Sequence, residues 1–264
     1  MLVMNCTISK YGNRPDENED AVLCYPSDVG YNQSKGIYCA MTDGATQSSF
    51  SQQWASLLVK LLVNKVKRYV PNKDTLRIVT LTAQSEWEKY IKKTDLPWHA
   101  QEKIKNGAFS TLLWLSIKKN KKNRKIKVIA VGDSNLIIVR DNKKLVAYPI
   151  ENSQDFGNTP TLLCSRTNRN SQINDRVFDK VTLWEQDWHP GDHFLLATDA
   201  LAQYMLRQFE KGENPSMFIA QLAKEGNLDK QQKEFENWIE SLRKEKTIRN
   251  DDTTLVSIQM PPES

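Results

Sequence analysis

Apolar residues recur along this chain in two rhythms that divide it into helical and extended stretches. Trp54, Leu57, Leu58, Leu61, Leu62, Val66, Tyr69 and Val70 fall at the three-and-four spacing of one helix face, and Pro71-Asn72 ends the pattern. Leu76, Val79, Ala83, Trp87 and Ile91 repeat it, predicting a second helix across Thr75 to Lys92. A short strand is predicted from Gly36 to Thr42, running into the turn Asp43-Gly44. From Phe109 the rhythm changes to short apolar and β-branched runs, Phe109 to Ile117, Lys125 to Val131, Leu136 to Val139 and Leu145 to Ile150, which read as an antiparallel meander.

Polar residues dominate residues 151 to 175 apart from Thr161 to Cys164, predicting a long surface excursion. Strands are predicted again at Val177 to Trp184 and His193 to Thr198, helices at Leu201 to Phe209, Met217 to Ala223 and Phe235 to Leu242, and a closing strand at Thr254 to Met260. The first twelve residues read as a polar stretch. Helices, then sheet, then helices, then a strand indicate an α+β layered domain. No repeat and no Pro- or Ser-rich linker divides the 264 residues, so residues 1–264 read as a single domain.

Composition narrows the function. Lys+Arg 37 against Asp+Glu 32 gives +5, a mild excess that suits an acidic or phosphorylated partner and falls short of a nucleic-acid specialist. The most basic run, Lys118 to Lys127, reads as a solvated hairpin between two strands. Arg166, Arg169 and Arg176 fall in the polar excursion, and Trp54, Trp87, Trp114 and Trp184 read as core. No apolar run reaches membrane-spanning length and no signal core precedes Gly12, so the protein is expected in the cytoplasm, without membrane or nucleic-acid partners. Cys6, Cys24, Cys39 and Cys164 lack C-x-x-C spacing, and His189 and His193 bracket a Pro-Gly turn. Neither a structural zinc nor a disulfide framework is expected. Cys164 has Arg169 five residues on, but the intervening loop lacks the glycines of a phosphate cradle.

The chemistry concentrates in carboxylates at the ends of predicted strands. Glu19-Asp20 precedes Ala21 to Leu23, Asp43 follows Ile37 to Met41, Asp133 follows Val128 to Val131, Asp199 follows Phe194 to Ala197, and Asp251-Asp252 precedes Thr254 to Ile258. Carboxylates brought close together raise one another's pKa unless a cation stands between them, and hard divalent ions favour such all-oxygen sites. Taken alone, each of these residues is an ordinary turn or cap aspartate.

In order, the segments Asn18-Glu19-Asp20-Ala21, Met41-Thr42-Asp43-Gly44, Phe109-Ser110-Thr111, Val131-Gly132-Asp133-Ser134, Pro190-Gly191-Asp192 with Leu195 to Asp199, and Asp251 to Val256 resemble the PPM family. These are the metal-dependent serine/threonine phosphatases of the protein phosphatase 2C type. The resemblance implies a four-layer αββα sandwich, two antiparallel β-sheets flanked by helices. It implies two Mn²⁺ or Mg²⁺ ions bridged by Asp43, with the Gly44 carbonyl and Glu19 on one and Asp199 and Asp251 on the other. Asp133 would serve a weak third ion, and Asp20 would hold a metal-bound water. The implied activity is direct hydrolysis of phosphoserine and phosphothreonine in a phosphorylated protein by metal-activated water. A cognate serine/threonine kinase is the implied counterpart.

Several positions depart from the family pattern. Pro15 stands where the family often has a phosphate-gripping arginine, which leaves Arg14 as the substitute. Ala45 replaces a common histidine, Ala200 a glycine, Gln203 a further aspartate, and Asn135 an arginine, the last read as a surface change. These departures define an alternative, a catalytically inert module that binds a kinase or a phosphoprotein.

Overall fold

The structure, a computed structural model, describes residues 2–25, 36–45, 50–66, 71–94, 104–118, 124–166, 177–179, 181 and 183–263. Among the described residues the strands are β1 (Leu2–Ile8), β2 (Ala21–Tyr25), β3 (Ile37–Thr42), β4 (Phe109–Ser110), β5 (Leu112–Ile117), β6 (Lys125–Val131), β7 (Asn135–Arg140), β8 (Lys143–Tyr148), β9 (Leu163–Cys164), β10 (Leu183–Asp187), β11 (His193–Ala197) and β12 (Thr253–Gln259). Helices α1 (Ser51–Val66) and α2 (Lys73–Lys93) lie between β3 and β4 in sequence. Helices α3 (Asp199–Glu210), α4 (Pro215–Ala223) and α5 (Leu228–Lys244) lie between β11 and β12. One antiparallel sheet runs β1-β12-β11-β7-β8, the other β10-β6-β5-β3-β2, and β4 pairs with β9.

Strand alternation accounts for the layering. Along β3, Ile37, Cys39 and Met41 face the space between the sheets, whereas Ala40 faces α1 and α2. Along β5, Leu113, Leu115 and Ile117 face inward and Leu112 and Trp114 face the helices. In the other sheet Leu136, Ile138, Phe194, Leu196, Val256 and Ile258 face inward, and Ile137, Val139, Leu195 and Leu255 meet α3, α4 and α5. Sheets covered on both faces need apolar residues at both phases of the strand, which is why these strands read as unbroken apolar runs. The result is the expected αββα order, with an apolar core between each pair of layers. Trp54, Trp87 and Trp114 are fully buried, and Trp184 stacks on Tyr148 with ring centroids 5.2 Å apart.

Several expectations need correction. The N-terminal stretch is the edge strand β1, whose Met4 and Cys6 are buried while Asn5 and Thr7 face solvent; its alternation is short and half polar. Residues Val177 to Trp184 do not form one strand. Val181 N–H donates to the Val177 carbonyl at 3.0 Å, and both side chains are buried beside α1 and α2, so two apolar residues four apart served a helical turn. The strand begins at Leu183 instead.

The excursion after Ile150 is not wholly superficial: Leu163, Cys164 and Ser165 are buried. Their carbonyls and amides are held by Trp54 Nε1 at 3.0 Å, Gln84 Nε2 at 3.0 Å and the Ala108 carbonyl at 2.8 Å. Asn135 is buried rather than superficial, and its amide bonds both the carbonyl (2.8 Å) and the N–H (3.1 Å) of Ile150. Cys24 and Cys39 form a disulfide. They lie 15 residues apart but directly opposite in the β2–β3 register, with Cα atoms 4.1 Å apart, a pairing that spacing in sequence does not announce. Tyr69, Val70, Arg169, Arg176 and residues 119–123 of the basic run lie outside the described residues, and beside that run Lys118 N–H bonds the Lys125 carbonyl at 3.2 Å. No helix among the described residues is long and apolar enough to cross a membrane.

His193, at the start of β11, is buried against Ser257, with Nε2 and Oγ 2.7 Å apart, and burial depresses its pKa to about 4. In the unfolded chain it titrates near 6.5, so the unfolded state binds the extra proton first as pH falls. Its stabilising contribution is therefore present above pH 6.5 and lost down to about pH 4, about 3 kcal/mol in all. Urea titrations of wild type and His193→Gln at pH 7 and pH 4 should show wild type losing about that much more stability. Taking the difference cancels the carboxylate contributions common to both proteins.

Candidate active site

Strand register explains why acids scattered through the sequence meet. Ala21 pairs with Thr42, so Asp20 before β2 and Asp43 after β3 share one end of their sheet. Met41 pairs with Leu113 and Leu112 with Val131, which brings Thr111 and the turn Gly132-Asp133 to the same end. In the facing sheet Ala197 pairs with both Leu255 and Asn135, so Asp199, Asp251 and Asp133 also share an end. Thr254 Oγ1 donates to Asp20 Oδ2 at 2.7 Å, joining the two sheets there. Asp43, Gly44, Ala45, Thr111, Asp133, Asp199, Arg249 and Asp251 line a cleft of about 510 Å³ rimmed by Gly157 to Pro160.

The backbone around these acids is tightly specified. Thr111 Oγ1 accepts from the Asp43 N–H at 3.0 Å and lies 2.7 Å from Ser134 Oγ, while Thr111 N–H donates to the Asp43 carbonyl at 2.9 Å. Gly44 pairs with Ser110 across an isolated bridge. A Cβ at Gly44 would stand 2.6 Å from the Glu19 carbonyl oxygen, so only glycine lets this turn close against Glu19. Gly132, at φ +93°, meets the same constraint against Thr111 and also needs the left-handed region. Glu19 accepts a hydrogen bond from Ser51 Oγ and lies 3.6 Å from Lys10 Nζ.

Electrostatically the cleft is a concentration of negative charge. Burial is the main cause raising the pKa of Asp43 well above the usual carboxylate range, helped by Asp20, Asp199, Asp251 and Asp133. Burial likewise raises Asp20, with Asp252 and Asp199 adding to it against the hydrogen bond from Thr254. Asp133 is pushed up to about 6 by burial and then Asp199, and Asp251 is raised by the same two causes. Asp20 Oδ1 and Asp199 Oδ1 are buried without a hydrogen-bond partner. Such oxygens are costly in a protein interior unless a proton or cation meets them.

The donor set, all hard oxygen, therefore fits Mg²⁺ or Mn²⁺. Among the described residues no three Asp, Glu, His or Cys side chains already converge as a ligand group. Arg249 instead stands among the acids, its Nη2 2.5 Å from Asp199 Oδ2.

The structure thus brings Glu19, Asp20, Asp43, Gly44, Asp133, Asp199 and Asp251 to one end of the sandwich. It does not bring Arg14. That side chain is 72% exposed, with Nε 3.3 Å from Asp16 and Nη2 3.8 Å from Glu17, and it is absent from the described residues lining the cleft. Gln203 donates to the Ser153 carbonyl at 3.0 Å, fastening α3 to the turn that leads into the cleft rim.

Sequence reasoning named Asp252 among the acids without giving it a role, and it missed Arg249. Asp252 is 4% exposed and accepts from the N–H groups of Lys10 (2.7 Å) and Glu19 (2.8 Å), so it fixes the approach of Glu19. Its place beside Asp251 was the available signal. Arg249 carried none, since nothing in the sequence marks a lone arginine before an acidic pair.

The comparisons agree with this fold. The structure is similar to a bacterial serine phosphatase, at TM-score 0.63 and 13% identity over 100% of both chains. It is also similar to the Mycobacterium tuberculosis serine/threonine phosphatase PstP/Ppp, at 0.58 and 14% over 100% of both. RsbX in complex with magnesium matches at 0.51 and 17%, over 98% of this chain and 94% of that one. At these identities the likeness concerns the fold. No curated protein matches the sequence. The family model for protein phosphatase 2C matches residues 16–246, a span that contains Glu19, Asp20, Asp43, Asp133 and Asp199. With that match over most of its length, the chain belongs to the protein phosphatase 2C family.

Proposed function

We propose that this protein is a Mg²⁺- or Mn²⁺-dependent protein serine/threonine phosphatase, its catalytic unit spanning residues 1–264 as one domain. The observation that carries the reading is the gathering of Asp20, Asp43, Asp133, Asp199 and Asp251 at one end of two facing sheets, with buried carboxylate oxygens left without hydrogen-bond partners. The pairing of β1 with β12, which ties the two ends of the sandwich sequence together, supports the single domain.

In this reading Asp43, the Gly44 carbonyl, Glu19, Asp199 and Asp251 would together hold two ions, and Asp133 would serve a weaker third. Divalent ions in such a site supply Lewis-acid polarisation of the phosphoryl group and lower the pKa of attacking water. The chain's own groups do the positioning. Asp20, anchored through Oδ2 by Thr254, keeps Oδ1 available to accept a hydrogen bond from the attacking water. Asp252 and Ser51 orient Glu19, and Thr111 holds the backbone of Asp43 from both sides. Ala45 offers no proton to the leaving oxygen, so water takes the role that the family's histidine would play.

The substrate class is a phosphorylated protein, with a cognate kinase as counterpart and the cytoplasm as the place of action. The magnesium complex of RsbX and the family match support the choice of ions. In a reducing cytoplasm the thiol forms of Cys24 and Cys39 are favoured over their bond.

The test is hydrolysis of p-nitrophenyl phosphate and a phosphothreonine peptide with Mn²⁺, Mg²⁺ or EDTA. Turnover that chelation abolishes is expected. A folded, metal-titrated sample that turns over neither substrate would overturn the reading in favour of an inert phosphoprotein- or kinase-binding module.

A further inference from the structure

Resting on the phosphatase reading, we infer that Arg249 is the substrate-phosphate grip of this protein: its guanidinium holds Asp199 in the metal-free state and turns to the phosphoryl oxygens when ions take the carboxylates. The site needs such a group. A phosphomonoester brings about two negative charges, and the arginine that the resemblance offered, Arg14, is 72% exposed, paired with Asp16 and Glu17, and absent from the described residues lining the cleft. Among the described residues lining the cleft, Arg249 alone carries a positive charge.

Its geometry suits two stations. The recorded hydrogen bond to Asp199 uses one nitrogen, Nη2, of a fork with five donors. The side chain lines the cleft and remains 44% exposed beside a carboxylate that is only 13% exposed. The charges of Asp199, Asp251 and Asp133 act on it together. Ions that neutralise these acids remove the attraction that holds the guanidinium inward and add like-charge repulsion, while a bound phosphoryl group restores an anionic partner at the cleft mouth. Planar bidentate recognition of phosphate is what a guanidinium does better than an ammonium. The Asp199 contact therefore keeps the arginine over the cleft until substrate arrives.

The experiment uses the full chain as wild type, Arg249→Lys and Arg249→Gln. Inorganic phosphate is titrated calorimetrically into each Mg²⁺-loaded protein, Mg²⁺ is titrated into each metal-free protein, and KM and kcat are measured with a phosphothreonine peptide. Arg249→Gln is expected to weaken phosphate binding by about tenfold or more and raise KM to match. Its Mg²⁺ affinity should be unchanged or higher, since Asp199 loses a competing cation, and Arg249→Lys should recover part of the phosphate affinity.

Unchanged phosphate binding in Arg249→Gln would overturn the proposal. So would a loss of Mg²⁺ affinity and thermal stability that accounts for the weaker phosphate binding, because the residue would then only support the fold. A wild type without turnover would sink the phosphatase reading by itself. The phosphate titrations would still decide the role of Arg249.

Discussion

Asp43→Asn is expected to abolish phosphatase turnover by about three orders of magnitude or more while raising the stability of the metal-free protein. The two effects have one origin. Asp43 sits where the charges of Asp20, Asp199, Asp251 and Asp133 meet, in a partly buried position whose desolvation already disfavours a charge. Removing its charge relieves repulsion in the empty site but takes away a group that would hold the ions in the proposed centre. Loss of such a ligand removes several kcal/mol of transition-state stabilisation, and about 4 kcal/mol corresponds to about a thousandfold in rate.

Wild type should gain about 3 kcal/mol from Mn²⁺ at a hundred times its dissociation constant, about 6 to 12 °C in melting temperature. Asp43→Asn should lose most of that shift. Thermal melts with Mn²⁺ and with EDTA, run beside single-substrate kinetics, check both halves. A variant that loses activity yet keeps the full metal-induced shift would show that Asp43 does not hold the ions.

The second large effect is structural and lies at the opposite end of β11. Asp192 is fully buried and accepts from Arg140 Nε at 2.7 Å and Nη2 at 2.9 Å in a two-pronged pair. It also accepts from the His189 N–H at 2.8 Å. Its own carbonyl accepts from Met260 N–H at 2.9 Å, so this residue ties the turn before β11 to the exits of β7 and β12. Asp192→Ala leaves the Arg140 guanidinium, 27% exposed, without its partner and the turn without its acceptor. Breaking one side of such a pair costs about 3 kcal/mol, or about 6 to 12 °C in melting temperature for a chain of this size. Calorimetry on Asp192→Ala and Arg140→Met/Asp192→Leu separates lost charge from lost packing. The apolar pair should be much closer to wild type, since it leaves no stranded charge. An Asp192→Ala protein that melts like wild type would contradict the argument.

The same residues show how far the sequence could be read. Helical periodicity in α1 and α2 and the apolar runs of β5, β6, β11 and β12 were legible because one face of each helix and most strand side chains meet an apolar layer, so burial wrote the pattern. β1 was not, because an edge strand with one wet face carries only Met4 and Cys6 as signal. Val177 and Val181 misled because two apolar residues four apart fit an extended run and a helical turn equally well until a packing partner is known. The disulfide depends on a register, Cys24 opposite Cys39, and register is a property of paired strands rather than of either segment.

The candidate site divides in the same way. By itself the sequence showed Glu19, Asp20, Asp43, Asp133, Asp199 and Asp251 as local features at strand ends, in an order that resembles the family pattern. Only the tertiary structure decided that those ends coincide, since antiparallel pairing alternates strand starts and finishes at one edge of each sheet and facing layers then bring the two edges together. It also decided which cation attends them. Arg14 is near the first acids in sequence yet pairs with Asp16 and Glu17 and is absent from the described residues lining the cleft, whereas Arg249 is far from Asp199 in sequence and reaches it at 2.5 Å. Charge pairs over distance in space, and that distance is set by packing.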